Sequence, residues 1–176
     1  IAQVSAAPAP RLAPAMRWPL LAAAGVIALA LGAAFLMWPR SSPSAPLLER
    51  AGDAYFQYTR GDNETAIALY DQALTADPED TAAQAGLARA LVQRALRWPN
   101  PPGGDEFTRT TLGEALATGR LETAQARATL DRAFGLVTSA AQTTPNSADV
   151  QLALGLTLAA RRDFTGAETA YRRALA

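Results

Sequence analysis

The side chains of this 176-residue chain that could do chemistry are carboxylates and arginines. All 16 basic residues are arginine, and the sequence contains neither cysteine nor histidine. A thiolate nucleophile, an imidazole base and the usual zinc ligands are therefore missing. Without lysine there is also no phosphate-loop lysine and no Schiff base. We therefore predict that the protein is not an enzyme, with no catalytic residues, no cofactor and no metal site.

The remaining charged clusters are better explained as solvated surface than as sites. Residues 77–80 are acidic around a proline, as expected of a polar turn, and two adjacent carboxylates at 105–106 are a weak signal for a cation. The arginine pairs at 161–162 and 172–173 could contact phosphate. However, the formal net charge is zero and no aromatic residues alternate with these pairs. We predict that this segment binds no nucleic acid.

An uncharged run at residues 20–38 has the length of one membrane-spanning helix, about 29 Å at a rise of ~1.5 Å per residue. Trp18 and Trp38 stand at its ends, where amphipathic rings favour the membrane interface, and Arg17 and Arg40 lie just outside. We predict a transmembrane helix at 18–38 rather than a buried core helix or a cleaved signal peptide.

The residues on either side of this run predict a tethered domain. Residues 1–17 are rich in proline and alanine, which favours a linker, and residues 39–46 form a Pro/Ser spacer. The Ala- and Arg-rich usage without lysine suggests a bacterial protein in the inner membrane. Arginines flank the span equally, so the periplasmic side that we expect for the following domain is weakly specified. The ends at Ile1 and Ala176 suggest a piece of a longer protein.

After residue 46, small and aromatic residues recur at helical spacing, in steps of three and four. A first set, Ala66, Tyr70 and Ala73, is followed by a proline, and a second set has the same order 67 positions later. A third set follows a Leu-Gly pair near the end. The residues expected to pack helix on helix are Ala66, Tyr70, Ala73, Ala133, Ala140, Leu154, Gly155, Ala167, Tyr171 and Ala174.

This pattern resembles the tetratricopeptide repeat (TPR), a pair of antiparallel helices with a period of about 34 residues. The resemblance implies an all-α fold in which an α-solenoid of helix pairs occupies residues 47–176. Repeats are expected at about 47–80, 81–146 and 147–176, the last one truncated. The spacing between the first two sets is about two periods. We therefore predict an insertion at about 98–120, with a degenerate extra repeat as the alternative.

Local signals place further helix ends. Two extra residues near Tyr58 predict that the first helix runs long or shifts register, and residues 81–98 should form the first helix of the second repeat. The Thr111–Glu114 spacing of a capping box predicts a short helix over about 112–118, stopped by Gly119. The next helix should then resume near Leu121 and run to Thr143.

The resemblance also implies a site, because TPR arrays bind peptides on a concave face lined by the first helix of each pair. Carried over by position, the groove residues would be Arg89, Gln93, Val92, Leu152 and Leu156. The remaining groove positions are mostly alanine: Ala82, Ala85, Asp149, Ala159 and Ala160. The Lys and Asn of the family's carboxylate-clamp variant are missing, so chaperone C-terminal tails are not expected ligands.

The sequence therefore predicts a membrane-tethered TPR scaffold that mediates protein–protein interaction without catalysis, with a protein or peptide as its partner. The alternative is the sensory or docking portion of a larger bacterial signalling protein. The order of linker, single span and repeats resembles transmembrane winged-helix transcription regulators and membrane Ser/Thr kinases. In that case the effector domain, such as a DNA-binding domain, would lie upstream of Ile1.

Overall fold

The computed structural model describes residues 44–98 and 110–176, and these residues form helices and turns without a strand. The predicted all-α class is confirmed for this part of the chain. The α-helices are α1 (Ala45–Tyr55), α2 (Arg60–Ala76), α3 (Thr81–Arg97), α4 (Leu112–Ala117), α5 (Ala124–Thr143), α6 (Ala148–Ala160) and α7 (Phe164–Ala174). A short 3-10 turn, Arg120–Glu122, precedes α5.

The predicted linker at 1–17, the predicted transmembrane helix at 18–38 and residues 39–43 of the spacer lie outside the described residues. Within 44–98 and 110–176, none of the helices combines the length and apolar character needed to cross a bilayer.

Polar caps and prolines fix the ends of the helices. The hydroxyl of Thr59 accepts a hydrogen bond from the third residue of α2, and the carboxylate of Asp80 accepts two from the first turn of α3. Thr123 caps α5 in the same way. Helices α2 and α5 stop just before Pro78 and Pro145, which cannot donate a backbone hydrogen bond.

The predicted capping box is present. The Thr111 hydroxyl accepts from the Glu114 backbone N–H at 3.2 Å, and the Glu114 carboxylate accepts from the Thr111 N–H at 2.8 Å. These bonds lower the pKa of Glu114. Gly119 ends the helix with a φ of 68°, as expected of a left-handed stop. The next helix begins at Ala124 rather than near residue 121, because the 3-10 turn comes first.

Helix α3 occupies the centre of the described fold and packs against α1, α2, α5 and α6. Its alanines allow close approach of these neighbours, and Leu87 and Leu91 are completely buried. The most extensive helix contact joins α3 to α5, across the interrupted region. The segment between α3 and α5 therefore separates the two helices of one pair. Among the described residues of this segment, only those of α4 and the 3-10 turn are helical.

Of the two predicted alternatives for the first helix, the longer helix is wrong, whereas the shifted register stays a prediction. The helix does not run long: α1 ends at Tyr55, and the extra residues form the turn before α2, where Tyr58 has a φ of 58°. Helix α1 also begins at Ala45, before the predicted start of the domain at residue 47. Ser44 lies fully buried at this end, with its hydroxyl 2.5 Å from a carboxylate oxygen of Asp80.

Candidate functional site

The first helices of the successive pairs, α1, α3 and α6, lie side by side, with α3 in contact with both of the others. We call the surface of these three helices the A-helix face. It is the surface on which the sequence predicted a peptide groove, and its polar centre is Arg89 on α3.

The Arg89 side chain of α3 contacts two neighbouring helices. Its guanidinium carbon lies 5.8 Å from the centre of the Tyr55 ring on α1, and Nη1 lies 4.0 Å from an oxygen of Asp149 on α6. Its positive charge also acts on the Tyr70 hydroxyl of α2. Its Nε is buried and finds no acceptor among the described residues. Arg89 therefore joins neighbouring helices while one of its buried N–H groups stays unsatisfied.

The two tyrosines around Arg89 stay neutral under ordinary conditions. Burial raises the pKa of both Tyr55 and Tyr70, and the nearby positive charge of Arg89 only partly opposes this effect. The charge of this part of the face is therefore set by Arg89 and Asp149 rather than by a group that titrates near neutral pH.

The structure differs from the prediction at Val92 and Gln93. Val92 is completely buried and Gln93 is 5% exposed, so neither lines an open groove. Helix α3 is enclosed by four neighbours, which leaves little of its circumference open. Three of the neighbouring alanine positions are buried as well: Ala85, Ala159 and Ala160.

The open part of the A-helix face follows α6. Leu152 is 43% exposed, Leu156 is half-buried, and Asp149 is exposed. Spacings of three and four residues place these side chains on one stripe of α6. Because Asp149 reaches Arg89, the stripe lies on the side of α6 that faces α3. An apolar strip thus borders a partly exposed guanidinium.

Sequence reasoning missed an aromatic cluster where α1 ends. The rings of Tyr55, Phe56 and Tyr58 lie 5.2–6.5 Å apart, and Phe56 is 61% exposed. The Arg97 guanidinium carbon lies 4.9 Å from the centre of the Tyr58 ring. The sequence signal was the occurrence of three aromatic residues within four positions. One neighbouring helix cannot bury all three rings at the end of a helix, so part of the cluster must be exposed.

The residues predicted to pack the repeats fall into two groups. The first group is buried: Ala66, Tyr70, Ala73, Ala133, Ala140, Gly155 and Ala167. The second group, on the last pair, is half-buried: Leu154, Tyr171 and Ala174. The difference arises because α6 and α7 have helices of the described chain on one side only.

Two ion pairs repeat with the same 67-residue offset as the helix pattern. Arg94 on α3 pairs with Glu64 at 3.4 Å, and Arg161 after α6 pairs with Asp131. Each joins the end of a first helix to the second helix of the preceding repeat. The sequence contains both pairs, but their partners lie 30 positions apart and become evident only once the helices are stacked.

The described residues offer little for catalysis. No three acidic side chains among them lie close enough together to hold a metal ion. The acidic residues at 77–80 act in the turn, where Asp77 accepts from the backbone N–H of Glu79 and Asp80 caps α3. The chemistry on offer at the A-helix face is recognition, through hydrogen bonds and apolar contact.

Comparison with known families supports the repeat. A family model described as tetratricopeptide repeat matches residues 57–95, which span α2 and most of α3. No curated protein matches the chain. Tetratricopeptide repeats generally mediate protein–protein interactions, so the match and the stacked helices together suggest a protein-interaction scaffold.

Proposed function

We propose that this chain is a non-catalytic scaffold that holds a segment of a partner protein on its A-helix face. The observation that carries the proposal is the side-by-side stacking of α1, α3 and α6 around residues that match a tetratricopeptide repeat. A surface built from parallel rows of side chains suits an elongated ligand better than a small molecule.

The exposed residues of this face define the ligand that it would hold. Leu152 and Leu156 offer an apolar strip, and the partly exposed guanidinium of Arg89 offers a positive charge beside it. The partner segment would place an apolar side chain on the strip and a carbonyl or carboxylate oxygen near Arg89. The aromatic cluster at Tyr55, Phe56 and Tyr58 extends the same face with rings that could pack against further apolar groups.

The test is a selection from a random peptide library displayed on phage, with the full chain as bait. Peptides selected on the wild-type chain should bind Leu152→Glu at least about ten-fold more weakly, because the substitution places a charge in the apolar strip. The matched control is Leu175→Glu, at an 86% exposed leucine on the other end of the last pair. Equal binding by both variants, or loss in both, would exclude the A-helix face as the site.

We also infer a membrane tether at residues 18–38, with the repeats on the periplasmic side of a bacterial inner membrane. The support is the uncharged run with a tryptophan at each end. After alkaline carbonate extraction the chain should stay in the membrane pellet, and reporter fusions at the two ends should locate them on opposite sides. Release into the supernatant would remove the tether from the proposal.

A second candidate function is that of a sensory or docking portion of a larger bacterial signalling protein. The order of a Pro-rich linker, one apolar run and helical repeats favours it. The reading frame upstream of Ile1 provides the test: a winged-helix or kinase domain would support this function, and a start codon would exclude it.

A further inference from the structure

A cleft of about 450 Å³ lies where the 3-10 turn meets the beginning of α5 and the end of α6. Its apolar side is formed by Leu121, Leu130 and Ala160. Of the groove positions predicted from the sequence, Ala160 lines the cleft, whereas Arg89, Val92, Gln93, Leu152 and Leu156 do not. The turn that closes the cleft belongs to the segment that interrupts the second repeat, so the cleft depends on a feature that regular repeats lack.

The charged side of the cleft holds three arginines and two carboxylates. Arg161 pairs with Asp131 and lies 4.7 Å from the Phe134 ring centre. The third arginine, Arg127, is exposed and makes no hydrogen bond or ion pair with any described residue. The lining therefore carries one positive charge in excess, and Arg127 is the guanidinium that lacks a partner.

Arg162 reaches the cleft from a strained backbone. Its φ is 67°, the left-handed region in which glycine is favoured. It closes the end of α6 through bonds from the Asp163 N–H to the Leu158 carbonyl and from its own N–H to the Ala159 carbonyl.

The left-handed backbone of Arg162 allows its side chain to form two hydrogen bonds. From this conformation the guanidinium donates to the Leu116 carbonyl at 2.7 Å and to Glu122 at 3.0 Å. An arginine in place of glycine thus carries backbone strain while its side chain lines the cleft, an arrangement that is common at functional sites.

We propose that this cleft binds a single carboxylate, carried by a peptide, with Arg127 as its direct donor. One negative charge would neutralise the excess positive charge of the lining, whereas a phosphate dianion would meet the carboxylates of Glu122 and Asp131. A guanidinium matches a carboxylate with two parallel hydrogen bonds, and the apolar side accommodates the methylene groups that carry it. This site shares Ala160 at the end of α6 with the A-helix face, but it contains none of Arg89, Leu152 and Leu156. Its test is therefore independent of the test of the proposed function.

The experiment is a titration of the full ¹⁵N-labelled chain in a non-ionic detergent, followed through the amide signals of residues 121–131. The probes are hexanoate, a blocked peptide with one glutamate, its glutamine counterpart, an unblocked glutamine peptide, and inorganic phosphate. Hexanoate and the glutamate peptide should shift these signals, and the blocked glutamine peptide should not. Binding of the unblocked peptide would identify a terminal carboxylate as a second source.

The deciding variant is Arg127→Gln, which should weaken carboxylate binding by about ten- to a hundred-fold through loss of a charge-assisted bond. Arg173→Gln, at an exposed arginine outside the cleft, changes the net charge equally and should leave binding unchanged. Arg162→Gly suits the left-handed backbone, so the chain should stay folded while its affinity falls. Unchanged binding by Arg127→Gln, tighter binding of phosphate than of hexanoate, or no shift with any carboxylate would overturn the proposal.

Discussion

Two buried glutamines hold the turns between successive helix pairs. The side-chain amide of Gln84 donates to the Pro78 carbonyl at 2.9 Å, and that of Gln151 donates to the Pro145 carbonyl at 2.8 Å. Both glutamines stand where the TPR pattern has an aromatic residue. Each amide joins the first turn of a helix to the turn before it, which a side chain without a donor could not do. The same contact 67 positions apart indicates that the turn, as well as the helices, is repeated.

Gln84→Glu tests this contact, because it replaces the donor with an oxygen that faces the Pro78 carbonyl. We expect a loss of about 2–3 kcal/mol in the free energy of unfolding at pH 7. Burial beside a carbonyl raises the pKa of the new carboxyl in the folded state. The loss should therefore be small below the unfolded pKa of ~4.3 and grow as the pH rises above it. Urea unfolding at pH 4 and pH 7 measures both values.

The matched control is Gln57→Glu, at an exposed glutamine in the turn after α1. It makes the same chemical change without burial, so its effect should stay within about 0.5 kcal/mol at either pH. If Gln84→Glu lost no more stability than this control, the amide–carbonyl bond would not be holding the turn.

At the scale of the helix, glycine sets how closely two helices approach. The Tyr70 ring of α2 lies against Gly86 of α3, where a β-carbon would come within 2.4 Å of the ring. The Tyr171 ring of α7 lies against Gly155 of α6 in the same way, at 2.5 Å. The two rings differ in how far they can move. Tyr70 is 5% exposed and enclosed by its neighbours, whereas Tyr171 is half-buried and can rotate toward solvent.

We therefore expect Gly86→Ala to destabilise the fold by about 1–3 kcal/mol, since the enclosed ring cannot move without disturbing its neighbours. Gly155→Ala should cost less, because the Tyr171 ring can yield. Gly135→Ala is the control: a β-carbon there meets nothing within 4 Å, and alanine favours the helix by about 0.5–1 kcal/mol. Thermal unfolding of the three variants should rank them Gly86, Gly155, Gly135 from least to most stable, and any other order would contradict this account of the spacing.

Helix positions were more predictable than the open surface. Steps of three and four placed Ala133 and Ala140 on a packed face, and the spacing of Thr111 and Glu114 located α4, because both signals depend only on neighbouring residues. Burial of Val92 depends on how many helices enclose α3, which periodicity does not reveal. The left-handed backbone of Tyr58 was equally hidden, since nothing in the residue type favours it.

At the scale of the whole molecule, α3 provides most of the contacts between two halves that are also joined by the ion pair of Arg132 on α5 with Asp71 on α2. The described residues of Ser42–Ala176 form one compact unit. Within its described part, α1 and α2 pair with each other and contact α3, and α5 and α6 also contact α3. Arrays of repeats gain their stability from contacts between neighbours. An array this short, with one helix common to both halves, should unfold in a single cooperative step.

Leu91→Ala tests this cooperativity, because Leu91 is completely buried in α3 and its truncation should cost about 2–5 kcal/mol. Native-state hydrogen exchange should then show faster opening of amides in α2 and in α6 by the same factor, with one urea transition for both. Leu175→Ala, at an 86% exposed leucine, should change the free energy of unfolding by less than about 0.5 kcal/mol. If the α6 amides kept their wild-type protection while those of α2 lost theirs, the halves would be independent, and α3 would belong to the first half alone.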